Sequence, residues 1–208
     1  MFRYWFLTIY VVVSFLKSMR HLYDHELTDP RISYTKRMQL IHEHAKRFAR
    51  GCIDQSGSVM TIHQQKKLPE GPVIYVTREL NPVTTTLLIG HLEKPFAFMA
   101  TQHLFRYPIL KHWLKKMAVI HQNQTDERLL EEAKERLMSG QSVLLTEKYR
   151  VLLSESLAEE FDCPLVPIET SGTDHLLTGK IVKRLRPVNV DIHIKAPVMI
   201  SDYAQKRA

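Results

Sequence analysis

The stretch from Leu68 to Ala100, LPEGPVIYVTRELNPVTTTLLIGHLEKPFAFMA, sets two short apolar runs on either side of a polar segment, and that order leaves few folds open. Val73 to Val76 is β-branched and aromatic and is entered through Pro69 and Gly71, which predicts a buried strand. Thr84 to Leu92 predicts a turn or two of helix, and Pro95 to Ala100 predicts a second strand. Strand, helix and strand in succession belong to a sheet with helices packed on its faces. In open α/β sheets the loop leaving the carboxyl end of a strand is where sites form, so Arg78, Glu79, Asn81 and Thr84 stand where chemistry is expected.

The rest of the chain extends this alternation. Ser33 to Arg50 puts Met38, Ile41, Ala45, Phe48 and Ala49 at helical spacing, with Lys36, Arg37, Lys46, Arg47 and Arg50 on the polar side and Gly51 as a stop. Further strands are predicted at Val59 to His63, Val119 to His121, Ser142 to Leu145, Leu165 to Glu169 and Asn189 to Lys195. Helices are predicted at Tyr107 to Ala118, Asp126 to Met138 and Leu152 to Phe161. Ser171 to Pro187 reads as a basic, loop-rich segment. The fold class expected is α/β, a central mostly parallel or mixed sheet flanked by helices. Residues 51–208 form that domain, and residues 1–50 precede it as a helical, membrane-associating segment.

Phe2 to Leu16 is the most apolar stretch, and its uninterrupted part, Tyr4 to Leu16, falls short of the roughly 20 residues a spanning helix needs. It lacks the basic start and small-residue cleavage site of a signal peptide. A monotopic helix in one leaflet fits: Tyr4, Trp5 and Tyr10 lie near the head groups, Phe6 meets the lipid, and Arg3, Lys17 and Arg20 meet its phosphates. The competing reading is a helix packed on the protein's own core. A formal charge of +7 favours anionic partners, phospholipid head groups, acidic carrier proteins or nucleic acid, without choosing among them. Basic residues are not interleaved with aromatic ones in the manner of a nucleic-acid-binding module, so nucleic acid is not an expected partner. Cys52 and Cys163 lie far apart and suit a reduced, cytosol-facing setting. The eleven histidines show no metal-ligand spacing, and no metal or cofactor is implied; His63 and His121 are the two that could reach a cleft.

Pro72-Val73-Ile74-Tyr75-Val76, then Lys94-Pro95-Phe96-Ala97-Phe98-Met99-Ala100, then Leu104-Phe105-Arg106-Tyr107-Pro108-Ile109-Leu110, and finally Cys163-Pro164-Leu165-Val166-Pro167-Ile168 follow one another at telling intervals. In order and spacing this resembles the glycerolipid acyltransferase family, whose strand motif V-S-N-H leads into H-x-x-x-x-D. The resemblance runs over most of Leu68 to Val198. It implies an acyl group moved from coenzyme A or acyl carrier protein to the glycerol hydroxyl of lysophosphatidate, at the cytoplasmic face of the cell membrane.

The reactive positions depart from that pattern. Glu79 stands at the family's histidine and Thr84 at its aspartate. Asn123 and Gln124 replace a D-R pair, and Leu145-Thr146-Glu147-Lys148-Tyr149-Arg150 keeps only the glutamate and arginine of F-P-E-G-T-R. The resemblance implies phosphate binding by Arg150, with Glu147 orienting it and Arg78 close by. An imidazole suits deprotonation of a hydroxyl because its pKa lies near the working pH, and a carboxylate behind it fixes its tautomer. Thr84 cannot replace that charge. The expectation is a protein of little or no transferase activity, partnered by anionic lipid, lysophosphatidate, an acyl donor or an active relative. The alternative is a working acyltransferase in which Glu79 or another base takes the proton.

Overall fold

The computed structural model describes residues 2–22, 29–100, 106, 108–121, 125–149, 160, 163–173, 177–178, 184–185 and 187–199. In chain order the elements are α1 (Phe2–Leu22), α2 (Tyr34–Ser56), β1 (Val59–Gln64), β2 (Ile74–Thr77), α3 (Pro82–His91), β3 (Phe96–Ala100) and α4 (Pro108–Lys116). They continue with β4 (Ile120–His121), α5 (Asp126–Met138), β5 (Ser142–Thr146), β6 (Leu165–Ser171), β7 (Leu177–Thr178), β8 (Arg184–Leu185) and β9 (Asn189–Ile194). Seven strands form a mixed sheet in the order β1-β9-β6-β2-β5-β3-β4, flanked by helices, as the sequence predicts. The helix expected at Leu152 to Phe161 lies outside the described residues, Glu160 apart. Within the segment read as loop, β7 and β8 form a separate antiparallel pair.

The chain gathers into two compact units that interleave along its length. One comprises residues 1–63, 81–93 and 170–192, the other residues 64–80, 94–169 and 193–208. In the second unit, β2 lies between β5 and β6, parallel to both, and all four of its residues are buried. That burial on both sides is why its sequence is a continuous apolar run rather than an alternating one. β3 is parallel to β5 on one side and β4 on the other. Leu129, Ala133 and Leu137 of α5 share a core with Ile74, Val76, Val143 and Leu145 of the sheet. Burying each large apolar side chain of this set stabilises the fold by roughly 1.5–3 kcal/mol. Asp126 and Glu127 set negative charge in the first turn of α5, where the helix dipole favours it. The Lys94 ammonium donates to the carbonyls of Pro69 and Gly71, so the residue before Pro95 ties down the loop that enters β2.

In the first unit α2 runs well past the expected stop. Gly51 lies inside the helix, which ends at Gly57 in the left-handed conformation, φ 71°. A Cβ on Gly51 would overlap the ring of Tyr10 from α1, so this glycine lets two helices approach rather than ending one. Tyr10, expected near the lipid head groups, instead turns to α2 and stacks on Phe48 with ring centroids 6.2 Å apart. α1 turns Trp5, Phe6, Ile9, Val12, Val13 and Leu16 outward, all exposed. No helix among the described residues is long and apolar enough to cross a membrane.

His42 of α2 is buried, with Nε2 3.4 Å from the Leu92 carbonyl after α3. Burial pushes its imidazole below the ordinary 6.5, an effect the Leu92 carbonyl partly offsets and Lys46 adds to. The unfolded chain therefore takes up a proton at a pH where the folded one does not, and stability falls as pH drops below about 6.5. Melting temperature is expected to fall between pH 7.5 and pH 5.5, with a shallower fall in His42→Leu. An equal fall in both proteins would remove His42 as a cause.

Candidate functional site

Parallel register brings the ends of several strands of the second unit to one edge. Thr77 of β2 is level with Thr146 of β5 and Ile168 of β6. The residues that follow, Arg78 and Glu79, then Glu147 and Lys148, leave the sheet at this carboxyl edge, the position anticipated for chemistry, while β6 continues through Glu169 to Ser171. Arg78 and Glu79 are both exposed. General-base work by a carboxylate calls for an enclosed setting, which exposure at Glu79 does not offer.

Thr84 and Asn81 belong to the first unit and do structural work there. Asn81 is the N-cap of α3, its Oδ1 accepting the Thr84 N–H at 2.8 Å, and Pro82 follows in the first turn. That explains a helix beginning before the expected Thr84, and it takes Asn81 out of the candidate chemistry. Thr84 itself is buried, 2% exposed, among the packed residues of α3. A threonine so enclosed cannot stand in for an anionic partner.

After β5, Glu147 and Lys148 are exposed while Tyr149 turns inward and joins the core of the second unit, with the Lys148 ammonium 5.4 Å from its ring. Where the family motif has a glycine and a threonine, this turn carries a bulky anchor. Arg150, Asn123 and Gln124 lie outside the described residues. Arg3, Tyr4 and Arg20 fall on α1, but their side chains are likewise outside the described set; Trp5, Phe6 and Lys17 are exposed.

Neither histidine singled out by sequence lies on the turn after β2. His121 ends β4, level with Ala100 of β3. The order β2-β5-β3-β4 puts it three strand spacings from β2, roughly 14 Å. His63, on β1, has Nε2 3.6 Å from Asp191 Oδ1 in the first unit, both side chains well exposed. Neither cysteine is in a disulfide, and burial pushes the Cys52 thiol up to about 12, leaving it a poor nucleophile.

Sequence reasoning missed a charged group beside Arg78. The chain after β9 returns antiparallel along β6, with Leu165 and Val198 exchanging backbone hydrogen bonds of 2.7 and 2.8 Å. The Lys195 N–H donates to the Pro167 carbonyl at 2.9 Å, and the Lys195 ammonium donates to Glu169. That hydrogen bond first, then the positive fields of Lys195, Arg78 and His193, hold the Glu169 carboxyl below the usual carboxylate range. One signal was available, since Glu169 directly follows the well-kept Pro167-Ile168.

No family model matches the sequence, and no curated protein matches it. Among solved structures the fold is similar to that of the 1-acyl-sn-glycerophosphate (LPA) acyltransferase PlsC from Thermotoga maritima. The TM-score is 0.76 at 16% sequence identity, and the similarity covers 97% of this chain and 91% of that one.

Proposed function

We propose that this chain is a membrane-associated, glycerolipid acyltransferase-like protein of phospholipid synthesis that binds lysophosphatidate and an acyl donor but transfers acyl groups weakly or not at all. One observation carries the reading: the fold follows an LPA acyltransferase along nearly the whole chain, while the two dyad positions hold an exposed Glu79 and a buried Thr84. Without a base of suitable pKa the acceptor hydroxyl stays protonated as the thioester is approached. Losing a general base costs about 100-fold to 10,000-fold in rate. Lysophosphatidate is held through its phosphate by Arg150 and Arg78, with Glu147 orienting Arg150, and α1 rests in one leaflet of the cell membrane on its cytoplasmic face. The exposed apolar side of α1 and the net positive charge support that placement. A protein that binds both substrates without turnover serves by pairing with, or regulating, an active relative.

Transfer of a labelled acyl group from coenzyme A or acyl carrier protein to lysophosphatidate tests the reading. The expected rate is at least about 100-fold below that of an active relative, and unchanged in Glu79→Gln. Turnover abolished by Glu79→Gln would establish the alternative, a working acyltransferase with a carboxylate base; the exposure of Glu79 weighs against it.

A further inference from the structure

We infer that Arg78 and Lys195, with His193 beside them, form a phosphate-monoester site at the carboxyl edge of β2 and β6, with Glu169 as an internal counter-ion that the ligand displaces. Three adjoining strands supply the groups. Thr77 and Ile168 are in register, so Arg78 and Glu169 emerge one strand spacing apart, roughly 5 Å. Lys195 is fixed to the other side of β6 through its own N–H on Pro167, and its ammonium already meets Glu169. Positive charge from Arg78 and Lys195 thus converges on a single carboxylate.

The pair that occupies the site is weakly held. Lys195 and Glu169 keep 40% and 56% of their side-chain surface exposed, and an ion pair in that setting is readily exchanged. A phosphate monoester brings nearly two negative charges and three acceptor oxygens, and a guanidinium binds it through two parallel hydrogen bonds. Glu169 turns aside to solvent, and Lys195 moves from a carboxylate to a phosphate oxygen. The site stands on the opposite side of β2 from the turn after β5. Choosing lysophosphatidate as the phosphate bearer rests on the proposed function; the site itself rests on the strand register and the charges.

Equilibrium dialysis of the full chain with short-chain lysophosphatidate, coenzyme A and inorganic phosphate tests it. Arg78→Met and Lys195→Met are each expected to weaken phosphate-ligand binding by about tenfold. Glu169→Gln is expected to tighten it by about threefold, a gain that a misfolded variant or a merely structural ion pair does not produce. Unchanged affinity in Glu169→Gln and Lys195→Met, or no binding of any probe, overturns the site. If Arg150→Met alone abolishes lysophosphatidate binding, the site falls while the proposed function stands. If all three probes bind alike through Arg78 and Lys195, the site stands and the lysophosphatidate reading falls.

Discussion

Glutamate at Trp5, Ile9, Val12 and Leu16 together is expected to reduce partition onto anionic phospholipid vesicles by at least about 100-fold, read by co-sedimentation. These positions recur at intervals of four and three along α1 and are 66%, 55%, 51% and 61% exposed. Tyr10 marks the other side, committed to Phe48 of α2. The four substitutions therefore project away from α2, and the far-ultraviolet spectrum and melting temperature are expected to stay as they were. Each apolar side chain contributes about 1.5–3 kcal/mol when fully buried in lipid, so even partial insertion of four exceeds the effect sought. Lys17→Glu acts only through charge, worth about 1 kcal/mol near an anionic surface, and is expected to weaken binding by no more than about tenfold. Binding that survives all four glutamates would place the anchor elsewhere.

Elements were legible in the sequence wherever a residue run had one simple fate. β2 is apolar because its side chains are buried on both faces of the sheet, and α5 carries leucines on one side and acids in its first turn. Adjacency was not legible. Sheet order places β6 beside β2 across nearly ninety residues of chain, so nothing in the local run around Arg78 announced Glu169 or Lys195. Gly51 misled for a related reason: glycine weakens a helix on its own, and only the ring of Tyr10 from another helix explains its place inside α2. At the candidate site, the positions of Glu79 and Thr84 were readable from the strand before them. The burial of Thr84 was not, because it follows from how Asn81 and Pro82 begin α3.

Gly51→Ala gives the second large effect, and its sign separates packing from propensity. In the interior of an exposed helix, alanine for glycine stabilises by about 1 kcal/mol, since it restricts the unfolded chain and suits the helix better. At position 51 the new methyl meets Oη and Cζ of Tyr10, so the ring must leave its stack on Phe48. That forfeits an aromatic contact of about 0.5–1.5 kcal/mol together with much of the ring's burial, about 1.5–3 kcal/mol when complete. The loss exceeds the gain, and Gly51→Ala is expected to destabilise by about 1–2 kcal/mol in urea unfolding, with faster amide exchange along α1. Removing the ring reverses the balance. In a Tyr10→Ala background the same Gly51→Ala change is expected to stabilise by about 1 kcal/mol. A stabilising Gly51→Ala in the otherwise unaltered protein would mean that α1 does not pack on α2 through Tyr10, and the outward orientation of Trp5, Ile9, Val12 and Leu16 would lose its basis as well.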